Sequence, residues 1–250
     1  MVYQVTLVNY INTYPFIEGL TGKQDSFVLD KRIPKECGEK FLTGESDFAL
    51  VPVAFLPRIK HPFQIIKNYG IACHGAVHSV KLLSKLPVEM ISEVSMDPHS
   101  TTSVELLKVL MQDHWGKNLK YNDLDLNNFD KSEAVLLIGD KVFQHEDQYD
   151  YQYDLGEIWR QLTGLPFVFA IWLCKESIPQ DVIDEFTSRL NLGLSRIDDI
   201  IIKEQVNHSE IDLEIYLKEN IKYKLDDQYL KGLDRFYELS SLNRRSYQFI

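Results

Sequence analysis

Four short segments carry residues whose types and spacing suit chemistry. In Asp97-Pro-His-Ser-Thr-Thr-Ser103 the hydroxyls of Ser100, Thr101, Thr102 and Ser103 sit between a predicted strand and a predicted helix with apolar positions Val104, Leu107, Leu110 and Met111. Hydroxyls grouped at a helix start suit a carboxylate or phosphate, because free backbone N–H groups and the helix dipole point at it. The same stretch can close on itself, since Thr102-Ser-Val-Glu105 has capping-box spacing; both hold if the cap takes one amide and a ligand another. In Asn9-Tyr-Ile-Asn-Thr-Tyr-Pro15, Asn12 either presents its amide to a ligand or caps the following helix. His74 and His78 share one face of an extended run, but no third ligand stands at metal spacing, so they read as ordinary strand histidines. Ser79 lies on the opposite face with Gly75, where a glycine lets a ligand approach the backbone. Ile138-Gly-Asp140 ends another strand, with Asp140 in a cleft or at the start of the next helix.

These segments fall at the carboxyl ends of predicted strands. The pattern predicts a strand over Tyr3–Val8, a short helix to about Gly19, a strand around Val28, a helix from Pro34 to near Gly44 and a strand over Asp47–Val53. A second series follows: strand Glu93–Met96, helix Thr102–His114, strand Ala134–Ile138, a helix after Asp140 and helix Asp154–Thr163. Strands alternating with helices indicate βαβ units and largely parallel sheets. Two long extended runs, near 71–84 and 168–174, read as connectors crossing to a second lobe and back. The last 75 residues read as helical, with Val182, Ile183, Phe186, Leu190, Leu194, Ile197 and Ile201 on one apolar face. The expected organisation is therefore α/β with two lobes: residues 1–86 completed by 175–250, and residues 87–174, with a ligand in the cleft between them.

Composition narrows the ligand. The chain has 250 residues, 44% of them hydrophobic, with 13 Tyr, 13 Phe and 3 Trp, enough to bury two cores. Its formal net charge of −10 argues against nucleic acid, whose binding rests on basic residues displacing counterions. An anionic ligand gains nothing from that overall field, so local amides and hydroxyls must hold it. Neither G-x-x-x-x-G-K nor G-x-G-x-x-G occurs, which disfavours nucleotides. The scattered Cys37, Cys73 and Cys174 read as reduced thiols. The opening residues lack a signal-peptide pattern, and no run approaches the ~18 apolar residues of a membrane span. A cytoplasmic protein without membrane contact is expected.

Taken in order, the segments resemble one family, the chorismate dehydratases of the futalosine route to menaquinone. The resemblance lies in Tyr10-Ile-Asn-Thr-Tyr-Pro15, Gly44-Glu-Ser-Asp47 with Leu50-Val-Pro-Val53, and Gly75-Ala-Val-His-Ser-Val80. It continues in Ser100-Thr-Thr-Ser103, Ile138-Gly-Asp140, Asp154-Leu-Gly156 with Trp159, and Thr163-Gly-Leu-Pro-Phe-Val-Phe-Ala170 with Trp172. It implies a fold like that of type II periplasmic binding proteins, and a lyase that removes water from chorismate to give 3-[(1-carboxyvinyl)oxy]benzoate, with no cofactor or metal. It also implies that Asn12 and Ser79 are active-site residues, and that Thr102 and Ser103, with Thr101, hold a substrate carboxylate; Asp140 is a further candidate to touch substrate. His78, Asp140 and the substrate's own enolpyruvyl carboxylate are the candidate bases. The competing readings are a non-catalytic cytosolic binding protein for a small anion, and the sister cyclic dehypoxanthinyl futalosine cyclase, whose Ser-Pro-Cys-Pro-Asn-Asp-like opening this chain lacks.

Overall fold

Apolar runs of five to nine residues, punctuated by Gly, Pro and Asn, make the strands that the rest of the chain packs on. The computed structural model describes residues 1–22, 26–125 and 132–242. The chain begins with β1 (Tyr3–Val8), a 3-10 turn at Ile11–Thr13 and α1 (Tyr14–Leu20), then β2 (Phe27–Arg32), α2 (Pro34–Leu42), β3 (Phe48–Pro52) and β4 (Phe63–Cys73). It passes to β5 (Val80–Ser84), β6 (Glu93–Met96), α3 (Thr102–Asp113), β7 (Lys120–Asp123), β8 (Ala134–Ile138), α4 (Lys141–His145), β9 (Tyr151–Asp154) and α5 (Leu155–Thr163). It returns through β10 (Phe167–Lys175), α6 (Gln180–Leu194), α7 (Ile197–Glu204), a π-helical turn at Ile215–Asn220, β11 (Lys222–Lys224) and α8 (Asp227–Leu239).

The strands form two sheets, ordered β11-β4-β10-β3-β1-β2 and β7-β6-β8-β5-β9. Both are mixed rather than largely parallel. In the first, β1 runs parallel to β2 and β3, whereas β10 is antiparallel to β3 and β4. In the second, β6 is parallel to β7 and β8, and β5 is antiparallel to β8 and β9.

The two extended runs are not simple connectors. The first divides: β4 stays in the first sheet to Cys73, residues 74–79 make the crossing, and β5 opens in the second sheet at Val80. The second run, β10, is an interior strand of the first sheet, buried on both faces, as its unbroken apolar sequence requires. The sheets therefore change over within 74–79 and again between α5 and Phe167.

The C-terminal tail is not wholly helical, because β11 pairs with β4. The predicted apolar face divides between α6 and α7, and its best-buried members are Ile183, Phe186 and Leu190. Phe186 stacks on Phe48 at 4.2 Å and meets Trp172 edge-on at 5.1 Å, which fastens α6 to the first sheet. α6 also lies directly on α1, where Gly19 and Gly193 face each other: a Cβ at Gly193 would fall 1.8 Å from Pro15 O and 2.8 Å from Gly19 N. The tail thus sets the position of the helix that follows Asn12.

Gly193→Ala should separate α1 from α6. Overpacking against a backbone carbonyl predicts a loss of about 2 kcal/mol or more, roughly 4–8 °C in Tm. Thermal unfolding checks this; an unchanged Tm would mean the helices are not held so close.

Candidate functional site

Between the sheets lies a cavity, open to solvent on one side, whose empty space out to that opening is about 570 Å³. Its apolar wall includes Val8, Leu50, Ile71, Val77, Ile138 and Phe169, and its polar wall consists of Tyr10, Asn12, Thr13, Ser79, Ser100, Thr102 and Ser103. Among the described residues no Lys, Arg, His, Asp or Glu lines it. The polar wall is one of amide and hydroxyl groups.

Each element delivers its part through identifiable bonds. β1 ends at Val8, and the Thr13 hydroxyl donates back to Val8 O (2.6 Å) and Tyr10 O (2.8 Å), curling the chain so that Asn12 faces the cavity. Asn12 does not cap α1, which begins with no side-chain cap. From the other lobe, Gly139 meets this loop with φ +64°; a Cβ there would lie 2.8 Å from the Tyr10 ring, so glycine is required for the ring to seat. The Asp140 carboxylate accepts the Ile11 N–H at 3.1 Å and clamps the same loop across the cleft. Asp140 therefore does not line the cavity. Burial drives its pKa up to about 6, opposed by the Ile11 N–H and by His208 and reinforced by Glu210.

Ser79 closes the crossing. Its N–H donates to Val77 O (2.8 Å) across His78, which has φ +60°, an uncommon conformation for a side-chain-bearing residue. Asp154 holds this turn: its carboxylate accepts from Val77 N (3.1 Å to both oxygens) and His78 N (2.7 Å), and also caps α5 through Gly156 N (2.9 Å) and Glu157 N (3.1 Å). The result buries Ser79 against the cavity and turns His78 out to solvent. His74 is exposed as well. Among the described residues no group of three His, Cys, Asp or Glu side chains is placed to hold a metal ion.

The start of α3 departs from the expected capping box. Glu105 pairs with Lys108 (2.7 Å), and the cap is Ser100, whose hydroxyl accepts the Ser103 N–H at 3.1 Å. The Ser103 amide is thus committed within the protein, and Ser103 reaches the cavity without it. The Thr102 hydroxyl accepts from Ala54 N (3.2 Å), which leaves its own hydrogen to donate elsewhere. Ser100 is in the same position, a cavity residue that the sequence marked only as part of a motif. Thr101 is not brought to the site: it borders a different hollow, with Asp97, Lys108 and Asn122, and its hydroxyl is buried. The loop before α3 is fixed by Asp97, fully buried, which accepts the His99 N–H (3.0 Å) and pairs with Lys141. Burial, then Lys141, pushes the His99 pKa down.

Tyr10 is a further cavity residue outside the expected set. Its hydroxyl is buried without a hydrogen-bond partner, and burial followed by Asp97 and Asp140 pushes its pKa far up, so it is a neutral donor. The site thus combines Asn12, Ser79, Thr102 and Ser103 with Tyr10 and Ser100, and leaves Thr101 and Asp140 outside the wall.

A protein-family model described as menaquinone biosynthesis matches residues 3–241. A chorismate dehydratase of Thermus thermophilus is 26% identical, over 96% of this chain and 96% of its own length. One from Campylobacter jejuni is also 26% identical, over 91% of this chain and 88% of its own. Among solved structures, a Candida albicans protein described as having the generic periplasmic binding protein structural fold superposes with a TM-score of 0.73 at 11% identity, covering 98% of this chain and 92% of that one. The fold is of that type.

Two predictions follow from these bonds. Asp154→Ala strips the acceptor from four backbone amides and should cost about 2–4 kcal/mol in thermal or denaturant unfolding; a loss below about 0.5 kcal/mol would show that the crossing holds itself. For Asp140 the pKa is raised in the folded state, so its contribution to stability is present below the unfolded value near 3.8 and is lost as pH rises through about 6. The stability of Asp140→Asn relative to wild type should therefore improve from about pH 4 to about pH 6 and level off above. A constant difference across that range would contradict the assignment.

Proposed function

The chain belongs to the menaquinone biosynthesis family, and on that premise we propose that it is a lyase that dehydrates chorismate to 3-[(1-carboxyvinyl)oxy]benzoate. The reaction removes the C3 hydrogen and the C4 hydroxyl and leaves an aromatic ring, so the enzyme has only a barrier to lower. Charge released at C3 delocalises through the ring diene onto the ring carboxylate. Oriented donors around that carboxylate stabilise the transition state more than the ground state.

The observation that carries this reading is the donor-rich cavity wall, whose described residues carry no charge. A dianion entering a protein of net charge −10 must be held locally, and the hydroxyls of Ser100, Thr102 and Ser103 at the start of α3 are the densest group of donors there. We assign the ring carboxylate to them. Asn12 and Ser79, from opposite lobes, face the remaining functional groups. Among the described residues the wall offers no protein base: His78 is exposed, Asp140 is turned to the Ile11 amide, and Tyr10 is a neutral donor. The substrate's enolpyruvyl carboxylate, held against C3, takes the proton; the C4–O bond then breaks as the ring becomes aromatic, and the departing hydroxyl takes that proton and leaves as water.

Purified protein incubated with chorismate should yield a product lighter by one water, with the absorbance of a substituted benzoate. Chorismate bound but unchanged would favour a binding protein. Thr102→Val removes the hydroxyl while keeping volume, and should lower kcat by ~10²-fold with little change in KM. A raised KM at intact kcat would make Thr102 an anchor for the other carboxylate.

A further inference from the structure

The site has a polar layer behind its wall. Tyr216 comes from the C-terminal tail, on the π-helical turn at Ile215–Asn220, where Ile221 N donates to Tyr216 O (3.0 Å) across five residues. Such turns are uncommon and occur often at functional sites. The side chain is 1% exposed, with its ring edge-on to Phe143 at 5.2 Å. Its hydroxyl lies against the side chains of Asn12 and Ser79, yet makes no hydrogen bond of full geometry within the folded chain. Tyr216 is not part of the cavity wall, whereas Asn12 and Ser79 are.

A buried hydroxyl left without a settled partner costs stability, so its retention beside two site residues calls for a role. A phenol accepts from one neighbour and donates to another, and thereby sets the direction of a hydrogen-bond chain. The Ser79 hydroxyl reaches toward Val77 O at 3.5 Å, a bond too weak to fix where its hydrogen points. We infer that Tyr216 is a positioning residue for the proposed dehydration: it accepts an N–H from the Asn12 amide and donates to Ser79 Oγ, which frees the Ser79 hydrogen to point at substrate and fixes the plane of the Asn12 amide. Burial, together with Asp140 and Asp154, pushes the phenol far above its ordinary range, so it keeps the proton this order needs.

This role rests on the chorismate reading, but the arrangement itself can be measured without substrate. In wild-type protein, nuclear Overhauser cross-peaks should connect the Asn12 side-chain amide protons with the Tyr216 ring, the Asn12 signals being assigned by their loss in Asn12→Ala. Their absence overturns the inference. Tyr216→Phe keeps the ring and its contact with Phe143, so Tm should stay within about 2 °C of wild type. Its kcat should fall about ten-fold or more at nearly constant KM, the scale of one oriented hydrogen bond. In a Ser79→Ala background the same change should cost clearly less than in wild type, because only the Asn12 contact is then left to lose. Wild-type kcat in Tyr216→Phe overturns the inference, as does a full ten-fold loss in the Ser79→Ala background. Failure of wild-type protein to dehydrate chorismate overturns the functional reading alone, and the cross-peaks then still decide the arrangement.

Discussion

One carboxylate organises the junction on which the site depends. A chain leaving one sheet for another must turn where no ladder satisfies its amides, and buried amides without acceptors are costly. Asp154 gathers Val77 N and His78 N from the outgoing crossing and Gly156 N and Glu157 N from the first turn of α5. The turn at His78 is held by bonds from outside it, which is how an uncommon backbone conformation persists. Ser79 then faces inward, and its carbonyl accepts the Gly139 N–H at 2.8 Å, so the strand end bearing Asp140 is placed from the same point. Gly139 in turn seats Tyr10, and Asp140 takes the Ile11 amide. A short series of backbone bonds thus runs from Asp154 to the Asn12 loop across the cleft.

For the proposed dianionic substrate, the described residues of the cavity wall solve an electrostatic problem without a counter-cation. A lysine or arginine in the wall would bind a dianion strongly in ground and transition state alike, which lowers KM without helping the chemical step. Neutral donors, oriented in advance by bonds to other groups, respond instead to where charge grows. The Thr102 and Ser100 hydroxyls each accept a backbone N–H and so keep a hydrogen to give. The nearby ionic groups lie behind the wall: Asp97 is paired with Lys141, and Asp140 is committed to an amide.

How much of this was legible in the sequence follows from what each segment buries. Strands with apolar runs, such as β1, β3, β8 and β10, were visible because both faces are covered. Among the strands that went unseen, β7, β9 and β11 lie at sheet edges, and their sequences Lys-Tyr-Asn-Asp, Tyr-Gln-Tyr-Asp and Lys-Tyr-Lys bury too little to leave a periodic signal; the first part of β4, before Ile71, went unseen as well, its exposed Lys67 and Asn68 breaking the apolar run of an interior strand. The long apolar run of β10 was visible as extended chain, but its place inside the first sheet was not, since a buried strand and a buried connector read alike.

The sequence by itself determined the two α/β series, the hydroxyl cluster at a helix start and the turn after β1 that carries Asn12, because each is a local matter of period, turn chemistry and residue type; the inward face of Ser79 came instead from the turn that Asp154 holds. Tertiary structure alone decided which polar groups remain available. The Thr102 hydroxyl takes the Ala54 amide from 48 positions away, Asp140 reaches Ile11 across 129 positions, and Tyr216 arrives beside Asn12 and Ser79 from a tail that looked like helical packing. Whether a hydrogen-bonding group is committed or free depends on what stands three ångströms from it, and in this fold those neighbours come from the opposite lobe or from the far end of the chain.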